Sequence, residues 1–112
     1  MKKANVSITP EQLAAGQRYE FHEDGGHGWL KVTRADLDAL GIAGFISVFS
    51  YITPSEQVVY LEEDCDASHF FRAYKKAFKG FPGVNALEWD SLTKRVWDGD
   101  WSYIRNLPHY QP

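Results

Sequence analysis

The chain has 112 residues, 44% apolar and 24% charged, the proportions of one folded domain over 1–112 rather than of a disordered, collagenous or low-complexity chain. Twelve Lys and Arg against fifteen Asp and Glu give a net charge of −3, which supplies no overall basic footprint for nucleic acid and is too mild for a DNA mimic. The single cysteine, Cys65, leaves no internal disulfide framework, and no stretch approaches the ~20 apolar residues of a membrane span; a cytoplasmic protein is the expectation.

In chain order, residues 1–8 read as a flexible N-terminus that leads into no apolar run of signal-peptide length. Thr9-Pro10-Glu11-Gln12 starts a short helix, with a capping threonine and a proline at the first helical position, and Gly16 ends it. Arg18 to His22 alternates polar and aromatic residues, the period of a strand. Asp24-Gly25-Gly26-His27-Gly28 is a turn, and Trp29 to Val32 resumes as the second strand of a hairpin. Thr33 to Asp36 caps a helix with Leu37 and Leu40 on one face and Gly41 as its stop. Phe45 to Ile52, rich in aromatic and β-branched residues, reads as a strand; Thr53 to Glu56 as a turn; and Val58 to Leu61 as a further strand.

The strongest helical pattern runs from about Ala67 to Lys79, capped by Asp66 or Ser68. Phe70, Tyr74, Ala77 and Phe78 form its apolar stripe, and Arg72, Lys75, Lys76 and Lys79 its basic face. Beyond Gly83, Ala86 to Trp89 and Leu92 to Trp97 read as strands, and Asp100 as the cap of a short helix over Trp101 to Asn106. Strands and helices in runs rather than strict alternation predict an α+β domain, a mostly antiparallel sheet of four to five strands with helices packed on one face.

Several constellations carry chemical potential. His22, Asp24 and His27 gather imidazoles and a carboxylate around a glycine turn, which suits a divalent metal or the general base of a hydrolase or nuclease. A hairpin tip also collects polar residues for structural reasons, and the spacing matches no strong metal signature. Glu62-Glu63-Asp64-Cys65-Asp66 carries four carboxylates before a helix, where negative charge complements the helix dipole. Consecutive carboxylates do not converge on one ion easily, so an acidic edge that meets a basic partner is the better reading. Cys65 and His69 share a helical spacing that would suit a thiol and its base, but Asp64 and Asp66 flank the thiol. The basic face Arg72, Lys75, Lys76 and Lys79 suits phosphate contacts, as in a small nucleic-acid-binding regulator, yet it also reads as an ordinary solvated face.

Aromatic residues are 15% of the chain: four Trp, six Tyr and seven Phe. Phe21, Phe49, Phe70, Tyr74 and Phe78 have the spacing of core positions. The surplus that such spacing does not explain is concentrated after Gly83 in Trp89, Trp97, Trp101, Tyr103 and Tyr110, with Arg95 and Arg105 among them. Trp, Tyr and Arg dominate binding hot spots, so this third of the chain either closes the core or presents a contact surface.

Phe21-His22-Glu23-Asp24-Gly25-Gly26-His27-Gly28-Trp29-Leu30, Tyr60-Leu61-Glu62-Glu63-Asp64-Cys65-Asp66-Ala67 and Ile104-Arg105-Asn106-Leu107-Pro108-His109-Tyr110 together resemble a family of small uncharacterised proteins carried by bacterial phages and conjugative plasmids. The resemblance spans Tyr19 to Tyr110, with Gly25 where that family is expected to have proline. It implies an accessory protein of a mobile element, a setting in which anti-CRISPR and anti-restriction functions are common, and it assigns no catalytic residue. The expected function is therefore a non-catalytic inhibitor that binds a protein partner, a host defence complex, with no cofactor, no membrane and no direct nucleic-acid contact. Its expected contact residues are Glu62, Glu63, Asp64, Asp66, Trp89, Trp97, Trp101, Tyr103 and Arg105.

Overall fold

Alternation of side chains across an extended backbone decides the first hairpin. In the computed structural model, which describes residues 19–77 and 92–112, strand β1 (Tyr19–Glu23) pairs antiparallel with β2 (Gly28–Thr33) in the register Phe21 to Leu30 and His22 to Trp29. Phe21, Leu30 and Val32 point to one face, while His22 and Trp29 point to the other. The helix expected at Thr9, the N-terminal residues 1–8, the strand over Ala86 to Trp89, and Phe78, Lys79 and Trp89 lie outside the described residues.

Helix α1 (Arg34–Leu40) follows β2 directly. Thr33 Oγ1 accepts the Asp36 amide at 3.0 Å, and Gly41 ends the helix at φ 73°, a left-handed conformation that costs glycine nothing. After a 3₁₀ turn at Ala43–Phe45 come β3 (Tyr51–Ile52) and β4 (Val58–Glu62). Glu63–Ala67 forms one π turn leading into α2 (Ser68–Ala77). β5 (Thr93–Trp97) and a 3₁₀ turn at Tyr103–Asn106 complete the described elements.

The five strands form one sheet in the order β3-β4-β2-β1-β5; β5 lies parallel to β1 and every other pair is antiparallel. The fold is α+β, as its pattern of elements predicts. Helices α1 and α2 cover one face of the sheet, where Phe21, Leu30, Val32, Val59 and Leu61 meet Leu37, Phe70 and Tyr74. Tyr19 packs edge-on against Phe70, with ring centroids 5.0 Å apart, and donates its hydroxyl to Asp36. The opposite face carries a smaller cluster of Trp29, Tyr60 and Ile104, roofed by the C-terminal 3₁₀ turn.

Three expectations are corrected. The strand predicted over Phe45 to Ile52 is confined to Tyr51–Ile52, because Ser47 and Ser50 turn their hydroxyls to the Asp66 carboxylate and hold 46–50 as a loop. Phe49 is consequently 62% exposed rather than in the core. The last short helix is capped by Ser102, whose hydroxyl accepts the Ile104 amide, and not by Asp100.

Gly28 is required by close approach rather than by backbone conformation. A methyl group there would stand 2.5 Å from Phe21 Cζ and 3.2 Å from Glu63 Oε1. Gly28→Ala is expected to lower stability by about 1–3 kcal/mol in urea unfolding, because the fully buried Phe21 ring must leave its rotamer.

Candidate functional site

The sheet face opposite the α-helices ends in a cleft of about 300 Å³ lined by His27, Trp29, Phe49, Tyr51, Glu62, Asp64, Cys65, Arg105 and His109. An adjoining depression is lined by Glu23, Asp24, Gly26, His27, Glu63 and Trp97, so His27 borders both. A third depression, along Tyr19, Glu20, Lys31, Thr33, Asp36 and Val58, gathers none of the predicted contact residues.

One wall of the cleft comes from the C-terminal segment. Asp24, its side chain fully buried, accepts the amides of Gly26 and His27 at 3.0 Å and of Ser102 at 2.9 Å, and takes Arg105 Nε at 2.6 Å and Nη2 at 2.8 Å. The guanidinium and these amides hold the Asp24 carboxyl well below the usual carboxylate range. Arg105 in turn lies 4.2 Å from the Trp101 ring centroid and 5.5 Å from that of Trp29.

The other wall is the loop 46–50. Asp66, 2% exposed, accepts the Ser47 amide at 3.0 Å and both the Ser47 and Ser50 hydroxyls. Ser50 Oγ also accepts the Glu62 amide at 2.9 Å, tying the loop to β4. Tyr51 and His109 stack with centroids 4.7 Å apart, and His109 Nδ1 donates to the Val48 carbonyl at 2.7 Å. The Glu62 carboxylate accepts the Cys65 amide at 2.8 Å through Oε2, while Oε1 lies 3.9 Å from His27 Nδ1.

The predicted contact residues divide. Glu62, Asp64 and Arg105 line the cleft, Glu63 and Trp97 the adjoining depression, and Trp101 flanks Arg105. Trp97 is 64% and Trp101 63% exposed. Tyr103 is half exposed, but its hydroxyl is hydrogen-bonded to that of Tyr60 on the second core cluster. Asp66 is buried and braces the loop, which corrects its assignment to the contact surface. Tyr110 is fully buried and belongs to the core.

His22, Asp24 and His27 are not brought together as metal ligands. Both ring nitrogens of His22 face carboxylates, Nδ1 toward Asp98 at 3.0 Å and Nε2 toward Glu20 at 3.0 Å, and that contact holds the Glu20 carboxyl low. Asp24 is fully occupied by its five donors, and His27 stands at the surface. Among the described residues no three His, Cys, Asp or Glu side chains are placed to hold one ion.

The Cys65–His69 pair does not form either, since His69 Nδ1 lies 3.1 Å from Arg72 Nη2. Cys65 is exposed, and the Glu62 carboxylate beside it, together with Asp66 and Asp64, pushes its thiol up, away from the reactive thiolate. On the basic face of α2, Lys75 lies over the Phe71 ring, and Arg72 and Lys76 are exposed.

Sequence reasoning missed Phe49, Tyr51 and His109 as cleft residues and read His27 as a turn residue or as a metal ligand or general base, not as part of a contact surface. The signal available for Phe49 was the flanking serines, since Ser47 and Ser50 favour a turn over a strand. No helix among the described residues is long and apolar enough to cross a membrane. The chain matches no family model, no curated protein and no solved structure.

Proposed function

We propose that the chain is a non-catalytic binding protein of a mobile element, acting in the bacterial cytoplasm to inhibit a host defence complex by protein–protein contact. The observation that carries this reading is the exposure of Phe49, Trp97 and Trp101, each above 60%, around two adjoining depressions bordered by Glu62, Glu63 and Asp64. Large rings held open to water beside carboxylates suit a partner that is basic and can desolvate them. A nucleic-acid-binding groove of a CRISPR or restriction effector has that chemistry. The acidic residues would steer encounter and the rings would supply most of the affinity. The engagement of His22 and Asp24 in structural contacts and the raised thiol of Cys65 support binding rather than catalysis, and the resemblance to phage and plasmid proteins supplies the biological setting.

The test is affinity capture from a bacterial lysate containing CRISPR and restriction effectors, paired with phage plating on cells that express the gene. One effector is expected to be retained, Phe49→Ala with Trp97→Ala is expected to reduce its retention at least tenfold, and phage should plate better on defended cells that express the gene. Recovery of no defence component, with no protection of phage, overturns the reading.

A further inference from the structure

We propose that the cleft beside Phe49 receives an arginine side chain of the partner; this rests on the binding function above and identifies the group that function recognises. The first support is charge. Asp64 is exposed and has no ion pair among the described residues, and Glu62 stands beside it in the cleft. Among the described residues lining the cleft, Arg105 is the one lysine or arginine, and it is already neutralised by its two-point contact with Asp24; the His27 imidazole stands 3.9 Å from Glu62 and leaves Asp64 unpaired. Asp64 is therefore left as a negative charge with no ion pair among the described residues.

The second support is shape. The stacked Tyr51 and His109 rings form one side and the exposed Phe49 ring stands at the mouth. Flat aromatic faces next to a carboxylate suit a planar guanidinium, which stacks and donates through two nitrogens at once; an ammonium offers only a point charge. The protein itself builds this arrangement in the wall of the same cleft, where Arg105 lies over Trp101 and Trp29 while bonded to Asp24. A cleft of about 300 Å³ is at the small end of ligand pockets and suits one side chain.

Nα-acetyl-arginine amide is the probe, titrated into the full chain and followed by ¹H–¹⁵N NMR. Trp29 is the reporter: it is 2% exposed, lines the cleft, and its indole N–H has no acceptor among the described residues. Saturable shifts of that indole and of the Asp64 and Cys65 amides are expected, with half-saturation at about millimolar concentration. The citrulline analogue, of the same shape without the charge, should give none, and the lysine analogue should bind more weakly. Asp64→Asn and Phe49→Ala, both at exposed positions that leave the core intact, should each weaken binding at least threefold.

Equal binding of citrulline or lysine, an unchanged affinity in Asp64→Asn, or the absence of saturable shifts overturns the assignment. If lysate capture succeeds and depends on Phe49 while the arginine probe fails, the binding function stands and this assignment falls. Binding of the probe without capture of a defence component supports the cleft and counts against the proposed partner.

Discussion

Asp24→Ala is expected to remove about 3–5 kcal/mol of folding stability at pH 7, a large part of what a domain of this size has. Three amides and the guanidinium of Arg105 lose their acceptor in one substitution, and the Ser102 amide is buried where water cannot replace it. Chemical denaturation measures the loss, with Asp100→Ala, at an exposed position, as the control expected to stay within about 0.5 kcal/mol. The pH dependence identifies the charge as the cause. Because folding holds the Asp24 carboxyl below its ordinary range, its stabilisation is complete above the unfolded value near ~3.9 and is lost as pH falls toward the folded one. The gap between the natural chain and Asp24→Ala should therefore be constant from pH 7 to about pH 5 and shrink below pH 4, by at most about 1.4 kcal/mol per pH unit. A gap that does not narrow in acid, or a substitution that costs less than about 1 kcal/mol, excludes Asp24 as the brace of the C-terminal wall.

What could be read from the residues in advance follows from how local each signal is. The hairpin around Gly25 and Gly26, the Thr33 cap with its Gly41 stop, and the amphipathic stripe of α2 are set by neighbours within a few positions, and they form as predicted. The segment 45–50 has strand composition, yet its serines find Asp66 sixteen and nineteen residues away, and that distant acceptor decides its conformation. The parallel placement of β5 beside β1 joins positions more than seventy residues apart and has no local signature. The site was legible in the same uneven way. Glu62, Glu63, Asp64, Trp97 and Trp101 were recognisable as surplus charge and surplus aromatic area. The roles of Asp24 and Asp66 were not, because a carboxylate's sequence neighbours do not reveal whether donors will surround it.

Those two aspartates share one function, since each fastens one wall of the cleft to the sheet. The second large effect follows. Asp66→Ala is expected to cost about 2–4 kcal/mol, because the Ser47 amide and two hydroxyls lose a buried acceptor. It should also weaken binding of the arginine probe and of the protein partner about tenfold, a change of about 1.4 kcal/mol, although Asp66 is 2% exposed and touches neither. The binding loss has one physical route: without the serine contacts the loop no longer holds Phe49 at the mouth. A double-mutant cycle separates that route from general destabilisation. If Asp66 acts through Phe49, adding Asp66→Ala to Phe49→Ala should lower stability further while leaving the affinity near that of Phe49→Ala alone. Additive losses of affinity would mean that Asp66 supports a different part of the contact surface. Binding unchanged in Asp66→Ala would show that the loop keeps its position without it.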